Sequence, residues 1–117
     1  MSERRQSERH QLMFHARVID AESDTTLGQL VDLSATGLML ASAVPLEVGR
    51  TYRLRIPLPV SFDGHPELRV RATVAWSAES LHPGLHRGGF RDLELPEEQR
   101  RAFERLVDEY RLRAAVE

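Results

Sequence analysis

The segment that decides the fold is the alternating run at positions 68–76, Leu68-Arg69-Val70-Arg71-Ala72-Thr73-Val74-Ala75-Trp76. Apolar side chains occupy every second position of this run, from its first residue to its last. A period of two is the pattern of a β-strand with one buried face. The sequence therefore predicts a strand here, with Trp76 at its end in the core.

Shorter segments with the same character lie on both sides of this run. The predicted strands cover 12–18, 27–33, 38–41, 52–56, 68–76 and 85–93. A polar turn at 20–26 separates the first two, and a tight turn at 34–37 follows, where Gly37 can adopt a positive φ. Pro57 and Pro59 are expected to end the fourth strand, because proline cannot donate to a sheet ladder.

One amphipathic helix is predicted at about 96–114, near the end of the sequence. Pro96 suits a first helical position, and acidic residues follow it where the helix dipole favours them. The apolar stripe of this helix has helical spacing and consists of Phe103, Leu106, Val107 and Tyr110. Several short strands followed by one helix indicate an antiparallel barrel or sandwich whose open end or face the helix covers.

Composition excludes several classes of protein. The 117 residues suit a single domain, and the absence of cysteine excludes disulfides and thiolate metal sites. No apolar stretch is long enough to span a membrane, and the N-terminus lacks a secretory signal, so we expect a cytoplasmic protein. The formal net charge is −2, whereas a general nucleic-acid binder is usually strongly basic.

Two motifs carry the candidate chemistry. The first contains an R-x-x-x-R spacing between Arg5 and Arg9, and the second is a D-x-S-x-x-G turn formed by Asp32, Ser34 and Gly37. Together, in this order on this strand pattern, they resemble the PilZ domain family. The Val74-Ala75-Trp76 strand ending, the Gly89-Phe90 pair and the terminal helix extend the resemblance over nearly the whole chain.

The resemblance implies a mainly β fold, a six-stranded antiparallel barrel with a C-terminal helix. It divides the chain into a flexible arginine-bearing arm at 1–10 and a barrel domain at 11–117. It also implies a ligand, the bacterial second messenger cyclic di-GMP, and an effector protein to which the signal is relayed. No cofactor, metal site or membrane insertion is expected.

The residue types in the two motifs suit that ligand on chemical grounds. An arginine fork matches guanine O6 and N7 and can also pair with a phosphate or stack on a base. An aspartate accepts hydrogen bonds from the N1–H and N2–H₂ of guanine, so Asp32 should reject cyclic di-AMP. Ser34 can donate to a phosphate or a base edge, and Gly37 lets the backbone approach the ligand.

Two further residues are candidates for the ligand site. Arg4 precedes the first motif and could help hold a second, stacked cyclic di-GMP, since the resemblance implies one or two bound molecules. Trp76 is expected in the core, with stacking on a guanine as its alternative role. The predicted cyclic di-GMP site therefore comprises Arg4, Arg5, Arg9, Asp32, Ser34, Gly37 and Trp76.

Other readings stay open at the level of sequence. The chain could be an adaptor of the same fold that binds no nucleotide, or a barrel for single-stranded nucleic acid, although its aromatic residues are few. No catalytic constellation is evident, so an enzyme is not expected. The His82 and His86 pair is separated by Pro83 and Gly84, which favours a loop over a helical metal site.

The arginines of two predicted strands alternate with apolar residues and should face outward. They are Arg53 and Arg55 on one strand and Arg69 and Arg71 on another. If the strands are neighbours, these arginines form one basic patch. A salt-bridged barrel exterior is the competing interpretation.

Overall fold

A computed structural model of the chain describes residues 16–62 and 64–116. Its strands are β1 (Arg17–Asp20), β2 (Thr25–Leu33), β3 (Gly37–Ser42), β4 (Thr51–Phe62), β5 (His65–Glu79) and β6 (His86–Glu94). A short 3₁₀ turn at Glu97–Gln99 leads into the helix α1 (Arg100–Val116). The predicted order of six strands and one helix is confirmed.

The six strands form one closed antiparallel barrel in the order β1-β2-β3-β6-β5-β4. Pairing between β1 and β4 closes the ring, with Ile19 opposite Arg55 and Asp20 opposite Leu54. β3 and β6 are neighbours although two strands separate them along the chain. The sequence left a barrel and a sandwich open, and the closed ring decides for the barrel that the resemblance implied.

The core fills the barrel and extends to α1, which packs on β2, β4 and β5. Strand residues such as Val18, Leu40 and Ile56 are completely buried. The predicted helical stripe is buried as well, and Ala102 joins it. Tyr110 also donates a hydrogen bond from its hydroxyl to the carbonyl oxygen of Leu30 at 3.3 Å. The helix therefore belongs to the same core as the strands.

The prediction that Pro57 and Pro59 end the fourth strand is wrong. β4 continues through both prolines to Phe62. Its pairing with β5 is regular as far as Pro57, then shifts register before Phe62 pairs with His65. Proline is tolerated where a ladder is irregular, because no regular N–H donor is needed there.

The first turn is shorter than predicted. Asp20 belongs to β1 and is buried, and its Oδ1 atom accepts a hydrogen bond from the backbone N–H of Glu22 at 2.9 Å. Asp24 has a φ of 61° and ends the turn, so β2 begins at Thr25. An aspartate tolerates this left-handed conformation better than most residues do.

The side chain of Gln99 connects the 3₁₀ turn to β5 by hydrogen bonds. Its side-chain Oε1 accepts from the backbone N–H of Arg69 at 2.8 Å, and its Nε2 donates to the carbonyl oxygen of Glu67 at 3.0 Å. The residue is buried, and the two hydrogen bonds satisfy both ends of its amide.

Across 16–62 and 64–116, no helix has both the length and the apolar character needed to cross a membrane.

Candidate ligand-binding groove

A β-bulge in β2 turns Asp32 away from the core. Leu30 is 1% exposed, and strict alternation would place Asp32 on the same inward face. Leu30 pairs with Leu40 but Asp32 pairs with Met39, so β2 carries one extra residue between them. The extra residue reverses the direction of the following side chain, and Asp32 is exposed.

A second bulge, in β5, turns the side chain of Trp76 away from the core. Val74 is completely buried and pairs with Phe90, whereas Trp76 pairs with Gly89, which leaves Ala75 as the extra residue. Trp76 is consequently 43% exposed. The expectation that alternation places Trp76 in the core is therefore wrong, because the bulge interrupts the alternation one residue earlier.

The D-x-S-x-x-G turn joins β2 to β3 and is closed by Ser34. Its backbone N–H donates to the carbonyl oxygen of Gly37 at 2.8 Å, and its Oγ accepts from the N–H groups of Thr36 and Gly37 at 3.3 and 3.2 Å. The serine thus has the structural role of a turn residue. Its exposed hydroxyl donates to the carbonyl oxygen of Gly37 at 3.3 Å. That bond is long, so the hydroxyl can rotate to donate to a ligand instead.

Gly37 does not use its freedom to adopt a positive φ. Among the described glycines the positive φ values belong to Gly49, Gly64 and Gly84. Gly37 is needed for close approach instead, since a Cβ there would lie 2.9 Å from the carbonyl oxygen of Phe90 on the neighbouring strand. The residue lets β3 lie tightly against β6 at the end of the turn.

These residues border one open groove on the barrel wall, with a volume of about 260 Å³. Its lining includes Asp32, Ser34, Gly37, Met39, Trp76 and Gly89. The four predicted site residues within the described part of the chain therefore come together. Arg4, Arg5 and Arg9 lie outside the described residues.

Gly89 gives the indole of Trp76 its place in the groove. A Cβ built on Gly89 would lie 2.1 Å from Nε1 of Trp76 and 2.6 Å from its Cε2. The ring therefore rests directly on the backbone of β6. Sequence reasoning did not include Gly89 among the site residues, although a glycine inside a strand is a recognised sign of close approach.

Met39 was also missed, because it follows the turn as an ordinary strand residue. It pairs with Gly89 across β3 and β6 and is half-buried beside the groove. With the indole of Trp76 it provides apolar surface, while Asp32 provides a carboxylate. One Asp32 oxygen, Oδ1, accepts from the backbone N–H of Leu33 at 2.9 Å. That hydrogen bond orients the carboxylate, and among the described residues no donor binds its other oxygen.

Such a groove can bind a flat, hydrogen-bonding ring. An indole face supports stacking, which contributes about 1–3 kcal/mol per base in comparable sites. A carboxylate beside it accepts hydrogen bonds from adjacent N–H donors. Among the described residues, no group of three or more histidine or acidic side chains is placed to hold a metal ion.

The PilZ domain model matches residues 3–109, which is most of the chain. The chain belongs to the PilZ domain family. PilZ domains are regulatory and binding domains, not enzymes, and the family is known for receptors of cyclic di-GMP that act on effector proteins. No curated protein matches the chain in sequence.

A solved structure supports the PilZ fold. The chain is similar to the inhibitor of motility MotI/DgrA of Bacillus subtilis, with a TM-score of 0.64 and 18% sequence identity. The similarity covers 89% of this chain and 48% of the other, so this PilZ chain spans about half the length of that protein. At this identity the comparison bears on the fold alone.

Proposed function

We propose that this PilZ domain binds cyclic di-GMP in the groove bordered by Asp32, Ser34 and Trp76, and relays the signal to an effector protein. The observation that carries the proposal is the convergence of these side chains. Two independent bulges turn Asp32 and Trp76 outward into the same groove. In the proposed complex the arginines of the R-x-x-x-R motif bind the same ligand.

Each groove residue has a role that follows from its chemistry. The carboxylate of Asp32 accepts from N1–H and N2–H₂ of one guanine, and adenine lacks this pair of donors. The indole of Trp76 stacks on a base. Ser34 donates to a phosphate or a base edge, and Gly37 keeps the turn close to β6. Arg5 and Arg9 supply guanidinium forks for guanine and phosphate.

Isothermal titration with cyclic di-GMP tests the proposal, with cyclic di-AMP and GTP as competing ligands. We expect saturable binding of cyclic di-GMP alone. Arg5→Ala should weaken it about tenfold or more, since a bidentate arginine contact contributes about 1–3 kcal/mol of discrimination. Asp32→Asn should have a similar effect, because an amide presents only one acceptor oxygen to the two guanine donors.

Matched controls separate the site from general loss of charge. Arg101→Ala removes an exposed arginine of the helix, and Asp108→Asn removes a carboxylate whose ion pair with Arg111 is exposed at 3.7 Å. Both should bind cyclic di-GMP like the unmodified chain. If the folded chain binds no cyclic di-GMP at any accessible concentration, the proposal is wrong and the nucleotide-independent adaptor takes its place. The stoichiometry also tests Arg4, for which a second bound nucleotide is expected.

A further inference from the structure

Four outward-facing arginines lie together on the wall of the barrel formed by β4 and β5. The strands are antiparallel neighbours, with Arg53 directly opposite Arg71 and Arg55 directly opposite Arg69. The predicted basic patch is therefore present, and we call these four residues the arginine face. Like charges directly opposite on one sheet face are destabilising, so two such pairs in succession do not serve the stability of the barrel.

Acidic neighbours neutralise only half of the arginine face. Arg55 forms ion pairs with Asp24 and, at 3.2 Å, with Glu67, which hold its guanidinium in place. Arg53 lies 3.8 Å from Glu22 in an exposed pair. Such exposed pairs are weak.

The remaining two arginines differ from Arg53 and Arg55, because no acidic side chain among the described residues pairs with them. Arg69 and Arg71 pair with none of the acidic side chains at 16–62 and 64–116. Glu94 is opposite Arg71 in the β5–β6 register but forms no ion pair with it. Within the part of the chain that the structure describes, the arginine face therefore presents two exposed guanidinium groups without acidic partners.

The arginine face is concave. It lines a cavity of about 550 Å³ whose walls also include the apolar residues Ala21, Leu95 and Pro96. None of the residues around this cavity borders the groove of Asp32 and Trp76. The backbone N–H of Arg69 donates to the side chain of Gln99, which holds the main chain in place at this arginine.

We propose that the arginine face is a docking surface for an extended acidic segment of a partner protein, with acidic residues at alternate positions. Arginines two apart on one strand are separated by about 6.7 Å, which is the spacing of same-side residues in any extended chain. Carboxylates at that spacing can meet successive guanidinium groups bidentately. Because the barrel is closed, the segment is recognised by side chains and not by joining the sheet.

A peptide suits the arginine face better than a nucleic acid does. Glu22, Asp24, Glu67 and Glu94 surround the arginines at fixed positions. A phosphate backbone carries closely spaced negative charge along its whole length and would meet these carboxylates. An extended peptide places its carboxylates at intervals, with neutral residues between them. The apolar wall of Leu95 and Pro96 also suits peptide side chains.

Fluorescence anisotropy on the full chain tests the proposal with a labelled, blocked peptide of alternating glutamate and threonine. We expect saturable binding that weakens with added salt. The double variant R69Q/R71Q should weaken it about tenfold or more, the equivalent of two charge-assisted contacts. The matched control R87Q/R101Q removes two exposed arginines from elsewhere and should bind the peptide normally.

Three further arms decide the outcome. A peptide of the same composition with its glutamates in one block should bind more weakly than the alternating peptide. The variant R69E/R71E should lose the glutamate peptide and bind an alternating lysine–threonine peptide in its place. A single-stranded oligonucleotide that binds the arginine face more tightly than the peptide overturns the proposal, as does the absence of peptide binding. Titration of R69Q/R71Q with cyclic di-GMP, which should bind normally, separates this proposal from the nucleotide-binding one and shows that the variant folds.

Discussion

At the scale of single residues, the contact of Trp76 with Gly89 determines how the indole lies in the groove. The ring lies where a Cβ of residue 89 would be, so its orientation depends on the absence of a side chain there. The chain contains one tryptophan. All tryptophan fluorescence of the folded chain therefore comes from this residue of the groove.

The variant Gly89→Ala should displace the indole. We expect its emission maximum to shift to longer wavelength, because the ring moves further into water, and the affinity for cyclic di-GMP to fall about tenfold with the loss of stacking. Emission spectra and titration calorimetry measure the two effects. An unchanged spectrum together with unchanged affinity would show that the contact does not position the ring.

Gly88→Ala provides the matched control on the same strand. A Cβ at residue 88 would lie 2.3 Å from Cδ1 of Leu46, at the end of a side chain, and no Trp76 side-chain atom is among its nearest neighbours. This variant should lower stability while leaving the emission maximum of Trp76 in place. A similar spectral shift in both variants would mean that the strand, not the contact, had moved.

Asp32, Ser34, Gly37 and Trp76 were named from the sequence as site residues. The contributions of Met39 and Gly89 and the direction of the Trp76 side chain were not predicted. Alternation along 68–76 places its side chain inside, and that interpretation holds as far as Val74. The bulge at Ala75 exists only in relation to β6, since it is defined by which residue pairs with which. Periodicity within one strand carries no information about a mismatch between two strands.

At the scale of elements, Gln99 joins the entry of the helix to β5. Its amide satisfies one N–H and one carbonyl oxygen of the β5 backbone, at Arg69 and Glu67. A further contact lies nearby, where Nε2 of His65 is 2.8 Å from the carbonyl oxygen of Glu98. The 3₁₀ turn therefore docks on the strand that also carries Trp76.

Replacement of Gln99 by alanine should destabilise the fold. Two partly buried backbone groups lose their partners, and the cost of about 1–3 kcal/mol for a fully buried unsatisfied group is the upper limit for each. Urea denaturation should show this loss as a lower midpoint with an unchanged slope. Gln29→Ala, at an exposed position of β2, is the control and should alter the free energy of unfolding by less than about 0.5 kcal/mol. Equal midpoints for the two variants would contradict the role of Gln99.

At this scale, some features of the helix and strands could be predicted from the sequence and others could not. The helical stripe from Phe103 to Tyr110 was predicted and is buried, because helical spacing depends on the helix alone. The end of β4 was not predicted, because Pro57 and Pro59 break only a regular ladder and the β4–β5 ladder is irregular there. Local patterns are reliable where the element itself determines burial.

At the scale of the whole molecule, the barrel and the helix share one core. Leu106 and Leu30, on helix and strand, are both almost completely buried in it. Closure of the ring depends on the pairing of β1 with β4, which are far apart in sequence. A sequence pattern could indicate strands but could not show this closure, and the family resemblance supplied it.

Thermal unfolding should therefore be a single transition. The far-UV circular dichroism of strands and helix and the fluorescence of Trp76 should change at the same midpoint, as is usual for small single domains. Cyclic di-GMP at about 100 times its dissociation constant should raise that midpoint, with a stabilisation of about 2.7 kcal/mol. A separate, earlier loss of helical signal would contradict the shared core.

The closed ring also affects the tendency of the protein to self-associate. Open sheets present unpaired N–H and C=O groups at their edges, and these groups can template the addition of strands from other chains. In this barrel each strand has a neighbour on both sides. We therefore expect the assembled barrel to resist backbone-driven polymerisation, and a concentrated sample should form fibrils most readily under conditions that first open the ring.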